Sequence, residues 1–123
     1  MRVMVIVKAN KESESGVMPT REMLADMGKY NEELTKAGVM LSGDGLKASS
    51  HGKRVKFGGK QPAVTDGPFA ETKELIAGFW IWKVKSMDEA LDWIKKAPFK
   101  DEEIEIRPFF ENEDFGPEAA PKK

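Results

Sequence analysis

The stretch Ile76–Val84 is the most apolar in the chain, and its β-branched and aromatic residues favour a central β-strand over a helix. A second apolar run, Val3–Val7, lies near the N-terminus and is also unbroken by polar residues. A strand that exposes one face to water alternates apolar and polar residues, so unbroken runs indicate strands covered on both faces. The fold of this chain must therefore cover both sides of its sheet.

Two helices are predicted from their end signals. The first has Thr20 as its N-cap and Gly38 as a C′ glycine just after Lys36. Between these ends, apolar residues at helical spacing form one face: Met23, Leu24, Met27, Tyr30 and Leu34. The second helix follows the capping box Ser86–Glu89, and Pro98 ends it.

Shorter strands complete the pattern. Val39–Leu41 begins a strand that Gly43–Gly45 interrupts, and Ile104–Arg107 alternates as the last strand. Between the second strand and the central one, apolar and polar residues alternate over Lys53–Phe57. The glycines Gly58 and Gly59 then form a turn, after which Ala63–Thr65 can pair with the first segment. This predicts a β-hairpin, Lys53–Phe57 with Ala63–Thr65.

The resulting order predicts an α+β fold: a ferredoxin-like βαββαβ antiparallel sheet with an inserted β-hairpin. Two helices cover only one face of such a sheet. Because the first and third strands are apolar on both faces, a second subunit packed sheet to sheet is expected to cover the other face. We therefore expect a homodimer of the dimeric α/β-barrel type. We expect one domain over residues 1–110 and a flexible tail over residues 111–123.

The composition excludes several classes of chemistry. The 123 residues include no cysteine and one histidine, which excludes disulfides, thiolate metal sites, cysteine nucleophiles and two-histidine metal sites. With 20 Lys+Arg and 21 Asp+Glu, the formal net charge is −1, without the basic field of a nucleic-acid-binding protein. No apolar run reaches the ~18 residues of a membrane span. We expect a cytoplasmic protein with no cofactor, no bound metal, no membrane contact and no direct nucleic-acid partner.

The segment Asp66–Trp80 reads DGPFAETKELIAGFW and closely resembles the signature of the DGPF branch of the YCII-related family. Three further stretches are similar to the same family, namely Met27–Leu34, Gly43–Leu46 and Ile104–Pro108. The resemblance covers residues 1–110. It implies a dimeric α/β-barrel fold like that of muconolactone isomerase, with a biochemical function that is mostly undefined.

The resemblance also implies an alternative function. Some members of this family are similar to, or encoded near, sigma factors of the extracytoplasmic-function class. The alternative to ligand binding is therefore a regulatory or protein-interaction module associated with transcription initiation. A His-Asp pair proposed as catalytic in the best-known branch is missing here, since the first helix has no histidine and the stretch after the second reads Ala97-Pro98-Phe99. Any catalysis must rely on carboxylates, lysine, arginine or tyrosine.

Three charged residues are candidates for the site. Asp66 is the candidate general base, because burial at the mouth of an apolar barrel raises the pKa of a carboxylate. The competing interpretation is an Asx-turn residue that binds backbone N–H groups. Lys73 either holds a charged ligand group, or belongs to a solvated approach to the central strand or to an inter-subunit salt bridge. Arg107, on one strand face with Glu105, is either an anion anchor or part of a packed pair.

Two aromatic residues are candidate ligand contacts. Trp80 and Tyr30 either line an apolar small-molecule pocket or belong to the core or the dimer interface. The lone histidine, His51, lies in a polar loop and is interpreted as a surface residue. The sequence thus predicts a small-molecule-binding dimer with its site between the sheet, the helices and the hairpin. If it is an enzyme, we expect cofactor-free, isomerase- or lyase-like acid–base chemistry around the aspartate, aided by lysine or arginine.

Overall fold

The computed structural model describes residues 1–116. Within them the strands are β1 Arg2–Lys8, β2 Met40–Gly45, β3 Lys53–Lys56, β4 Ala63–Asp66, β5 Ile76–Lys83 and β6 Ile104–Pro108. The helices are α1 Lys11–Glu14, α2 Arg21–Lys36 and α3 Met87–Ile94, with short 3-10 turns at Ser49–His51, Thr72–Glu74 and Asn112–Phe115. Of the predicted flexible tail, residues 117–123 lie outside the described residues. No helix in the described part of the chain is both long and apolar enough to cross a membrane.

Four strands form one antiparallel sheet in the order β2-β5-β1-β6, while β3 and β4 form a separate hairpin. This order confirms the predicted α+β, ferredoxin-like sheet with an inserted hairpin. In the register of the central strands, Val5 lies opposite Trp80 on one side and Ile106 on the other. The two unbroken apolar runs are therefore the two innermost strands.

The two long helices, α2 and α3, cover one face of this sheet. Buried side chains from the central strands and both helices form a single cluster, namely Val3, Val5, Tyr30, Leu34, Val39, Trp80, Trp82, Val84 and Ala90. From β6, Ile104 and Ile106 pack against it. Removal of these apolar side chains from water is the main favourable contribution to folding.

The helix α2 begins and ends where the sequence predicted. The Thr20 hydroxyl oxygen accepts a hydrogen bond from the Met23 N–H over 3.1 Å, and Gly38 adopts a φ of 72° just after the C-cap, Ala37. The predicted apolar face is buried only in its later part, since Met23 and Leu24 are more than half exposed. The first turns of the helix lie outside the core cluster.

One helical turn was not predicted, and one strand differs from its prediction. The polar segment after β1 forms the helical turn α1, in which the Asn10 side chain accepts from the Ser13 N–H and the Ser13 hydroxyl accepts from the Asn10 N–H. The strand β2 runs through Gly43–Gly45 without interruption. Glycine is needed there because a Cβ on Gly43 would lie 2.5 Å from Cδ1 of Trp80.

The other face of the sheet carries an apolar patch. Met4 lies opposite Ile81 and Ile6 lies opposite Phe79, so that four apolar side chains meet across the central strands. All four are partly exposed, and none belongs to the core cluster that the helices cover. We call this patch the open sheet face. Its apolar character agrees with the sequence analysis, whereas the second subunit expected to cover it stays a prediction.

Candidate functional site

Charged side chains border the open sheet face along β6. Glu105 lies opposite Ile6 and Arg107 lies opposite Met4, so both side chains leave the sheet on the face away from the helices. The Glu105 carboxylate lies 3.6 Å from the Lys8 Nζ and 3.9 Å from the Arg107 Nε. The Arg107 side chain is 72% exposed, so its guanidinium is accessible to an anion.

Polar groups border the same face at its other edge. The strand β2 places Asp44 opposite Phe79 and Ser42 opposite Ile81. The open sheet face is therefore an apolar floor with polar and charged groups on both sides, which is the composition typical of small-molecule sites. Such sites are concave, however, and the open sheet face is one side of a sheet. An enclosed site here requires a second surface above it.

Tyr30 and Trp80 meet on the opposite, helix-covered side of the sheet. Their ring centroids are 5.7 Å apart in an edge-to-face contact. The Tyr30 hydroxyl donates to the Trp93 carbonyl oxygen over 2.6 Å, and the Trp80 Nε1 donates to the Asn31 Oδ1 over 2.9 Å. Burial raises the pKa of the Tyr30 hydroxyl well above its ordinary value, and the negative charge of Glu33 adds to the effect. The position of both side chains agrees with the interpretation that they belong to the core.

Asp66 and Lys73 lie in the insert between β2 and β5. Asp66 ends β4, and its Oδ1 accepts a hydrogen bond from the Lys53 Nζ over 2.5 Å. Its side chain is 74% exposed, as in an ordinary surface ion pair. Lys73 is exposed in a 3-10 turn before β5. No hydrogen bond or ion pair within residues 1–116 joins Asp66, Lys73 and Arg107, so the structure does not bring the three charged candidates together.

The Asp-Gly-Pro-Phe turn packs against the loop that precedes β3. A Cβ on Gly67 would overlap the Ser49 carbonyl oxygen, so glycine is required at this position. The Phe69 N–H donates to the Ser49 hydroxyl oxygen over 3.1 Å. Ser49 in turn donates from its backbone N–H and its hydroxyl to the Glu14 carboxylate on α1. We call Glu14, Ser49, Gly67 and Phe69 the loop clasp.

The base of the hairpin is attached to the same turn. The Arg54 guanidinium stacks over the Phe69 ring at 3.9 Å from its centroid, and the Gly67 N–H donates to the Gly52 carbonyl oxygen over 3.0 Å. Sequence reasoning missed the role of Ser49, which lies 35 residues from Glu14. No local pattern marks a contact over such a separation.

Two surface depressions lie away from these residues. One lies beside Arg2 and residues 110–113, and the other lies along α2 around Gly28 and Asn31. Neither is lined by any of the five predicted site residues. In the described part of the chain, no group of three or more histidine, aspartate and glutamate side chains is placed to hold a metal ion.

The fold places this chain among the ferredoxin-like α+β proteins, and the two long helices cover only one face of its sheet. Comparison with known proteins identifies the family, since the model of the YCII-related domain matches residues 1–112. The chain belongs to the YCII-related family. This confirms the family resemblance carried by Asp66–Trp80, while membership of the DGPF branch stays a prediction.

A curated relative gives no further information on activity. The chain is 35% identical over 86 residues to an uncharacterized protein of Rhizobium meliloti (strain 1021). The alignment covers 70% of this chain and 64% of that protein, so the chain spans less than two thirds of the relative's length. Any function must therefore be argued from the geometry.

Proposed function

We propose that this chain is a small-molecule-binding protein that acts as a homodimer and holds its ligand between the open sheet faces of two copies. The observation that carries the proposal is the apolar patch formed by Met4, Ile6, Phe79 and Ile81, on the side of the sheet away from both long helices. A contiguous apolar patch with a polar rim is typical of an interaction surface.

A second copy of the chain is the cover that fits best. Two-fold symmetry places the same patch on both sides of the contact, so an apolar surface meets an apolar surface. Sheets packed face to face lie about 10 Å apart, and side chains from both faces fill the centre of the contact, so the ligand lies at its charged border. Each protomer also contributes its own Lys8, Glu105 and Arg107 to the border of the enclosed space.

The side chains on this face indicate the ligand class. Arg107 binds Glu105 only loosely, at 3.9 Å, and an arginine fork matches the two oxygens of a carboxylate. Met4, which lies opposite Arg107, and Ile6 offer apolar surface beside it, and Phe79 and Ile81 continue that surface on the next strand. We expect the ligand to be a small carboxylate with an apolar or aromatic body.

Catalysis by Asp66 stays a prediction, as do the cytoplasmic location and the link to sigma factors. For catalysis, the Asp66 carboxylate would have to reach the ligand from the insert and leave its Lys53 partner. The carboxylate that stands beside Arg107 on the open sheet face is Glu105. The geometry therefore supports binding more directly than it supports a reaction.

Sedimentation velocity at micromolar concentration tests the dimer. We expect the unmodified protein to sediment as a dimer and Ile81→Glu, which places a charge in the centre of the patch, to sediment as a monomer. Leu24→Glu is the matched control, because Leu24 is 58% exposed on α2 and away from this face. Circular dichroism must show that each variant is folded. A monomeric unmodified protein, or a folded Ile81→Glu that stays dimeric, overturns the proposal.

Benzoate is a suitable probe for the ligand class, because it combines a carboxylate with an aromatic body. We expect benzoate to raise the thermal midpoint of the unmodified protein, Arg107→Ala to abolish the shift and Arg107→Lys to retain part of it. Arg21→Ala, on the exposed surface of α2, is the control. If benzoate stabilises Arg107→Ala as much as the unmodified protein, Arg107 is not the anchor.

A further inference from the structure

We propose that the hairpin β3–β4 of one protomer binds the acidic segment 101–105 of its partner, so that charge determines how the two sheets face each other. This inference rests on the homodimer proposed above. It goes further by naming the surface that each hairpin contacts and the direction of the two-fold axis.

The net charge of −1 conceals a separation of charge along the chain. Residues 46–65 contain no aspartate or glutamate, and they carry the cations Lys47, Lys53, Arg54, Lys56 and Lys60. Residues 101–105 contain no lysine or arginine, and they carry the anions Asp101, Glu102, Glu103 and Glu105. Within residues 1–116, no ion pair joins these two segments. Lys53 and Glu105 already have ion-pair partners within the chain, and Arg54 stacks on Phe69. The charges available to a second molecule are therefore Lys47, Lys56 and Lys60 on one segment and Asp101 and Glu103 on the other.

The hairpin is exposed on both of its faces. Every residue of β3 and β4 is exposed, and among residues 1–116 the strand β3 pairs with β4 alone. Val55 lies opposite Val64, and these two side chains and Phe57 are 50%, 62% and 75% exposed. A two-stranded hairpin is only marginally stable in water on its own. Its apolar side chains and its cations both indicate a surface that is covered by a partner.

The chain enters the insert from one edge strand, and the acidic segment leads into the other edge strand at the same end of the four-stranded sheet. The insert that contains the hairpin leaves β2 after Gly45, and the acidic segment leads into β6 at Ile104. These positions lie in one row across the sheet, since Gly45 pairs with Gly78, Gly78 with Val7 and Val7 with Ile104. A row of four strands spans about 14 Å.

A two-fold axis parallel to the strands converts this arrangement into two equal contacts. Such an axis lays the β2 edge of one sheet over the β6 edge of the other and keeps the same ends of the sheets together. Each hairpin then lies at the acidic segment of the partner, and the contact occurs twice. An axis perpendicular to the strands, in the plane between the sheets, would bring each hairpin to the far end of the partner's β2 edge. Charge complementarity therefore selects the two-fold axis that is parallel to the strands.

Charge reversal tests this contact. Lys56→Glu with Lys60→Glu reverses the hairpin, and Asp101→Lys with Glu103→Lys reverses the acidic segment. We expect each double variant to raise the dimer dissociation constant by about tenfold at low salt, and the combination of all four changes to restore most of the affinity. Sedimentation equilibrium measures the constant. Lys29→Glu with Lys95→Glu is the control, since both lysines are exposed on or beside the long helices.

The outcomes separate this inference from the proposal on which it rests. If the unmodified protein is monomeric, the homodimer proposal and the hairpin contact are both wrong. If it is dimeric and neither reversal weakens the dimer more than the control does, the hairpin contact is wrong and the homodimer stands. If both reversals weaken the dimer and the combined variant does not recover, the two segments do not pair with each other. Circular dichroism must show the native fold in every variant compared.

Discussion

The indole Nε1 of Trp80 donates a hydrogen bond to the Oδ1 of Asn31 over 2.9 Å and thereby joins the central strand β5 to α2. The same ring lies against Gly43 of β2, so that three elements determine its position. The neighbouring Trp82 is fully buried, and its Nε1 has no hydrogen-bond partner among the described residues. Trp80 is therefore oriented by a polar contact, whereas Trp82 is held by packing alone.

Asn31→Ala is expected to lower the free energy of unfolding by about 1–3 kcal/mol, because it leaves the Trp80 N–H without its acceptor. Urea denaturation monitored by circular dichroism measures the change. Glu32→Ala, at the next position of the same helix, is the control and should have little effect. Equal stability of the two variants would contradict the role given to this hydrogen bond.

Tyr30 is expected to lower the free energy of unfolding as the pH becomes alkaline. Burial raises the pKa of its hydroxyl above the ordinary value of 10, so the folded state favours the neutral form. The stability that this contributes is fully present below the unfolded pKa, and it is lost as the pH rises from there through the folded pKa. We expect Tyr30→Phe to remove this part of the pH dependence.

Tyr30 is the chain's sole tyrosine, so the ultraviolet absorbance of tyrosinate reports this residue alone. We expect the Tyr30 hydroxyl to ionise only at the pH at which the protein unfolds. Circular dichroism over the same pH range measures the unfolding. Ionisation near the ordinary pKa in a protein that remains folded would contradict the burial of this hydroxyl.

Gly67→Ala is expected to destabilise the protein by about 1–3 kcal/mol, because the added methyl group overlaps the Ser49 carbonyl oxygen. Thermal denaturation measures the loss, and limited proteolysis should show faster cleavage within residues 46–75. Gly59→Ala is the matched control, since a Cβ there lies at an ordinary 3.6 Å from the Gln61 carbonyl oxygen. If the two variants unfold at the same temperature, the turn does not need glycine.

Ser49→Ala removes the hydroxyl that accepts from the Phe69 N–H and donates to Glu14. We expect a loss of about 1 kcal/mol and faster hydrogen exchange of the Phe69 amide. Ser50→Ala alters the adjacent exposed serine and should leave both quantities unchanged. Unchanged exchange at Phe69 in Ser49→Ala would contradict the loop clasp.

The fold was predictable because its signals are local. Thr20 and Ser86 cap the two long helices through hydrogen bonds to residues three positions ahead, and Gly38 adopts the positive φ expected of a C′ glycine. The open sheet face was predictable for a related reason, since an apolar run without alternation shows that both sides of a strand are apolar.

The candidate site was less predictable because its contacts join distant parts of the chain. Lys8 and Glu105, which border the open sheet face, are 97 residues apart, and their ion pair leaves no pattern in the sequence. Helical spacing identified the apolar face of α2, but the extent of the core decides that Leu24 is exposed and Leu34 is buried. A glycine such as Gly43 is equally expected at a strand break and at a close approach, and the structure shows the second.

The insert enters and leaves the sheet at adjacent points. The Leu46 N–H donates to the Ala77 carbonyl oxygen over 2.8 Å, so residues 46–75 leave and rejoin the ferredoxin-like scaffold on adjacent strands. Every strand pair of the four-stranded sheet is complete without these residues. The contact of Ser49 with Glu14 attaches the insert to α1. Because the sheet does not depend on that contact, we expect the scaffold to keep its strand order when a segment of another length or charge replaces the insert. Selection for a new partner can act on these residues alone.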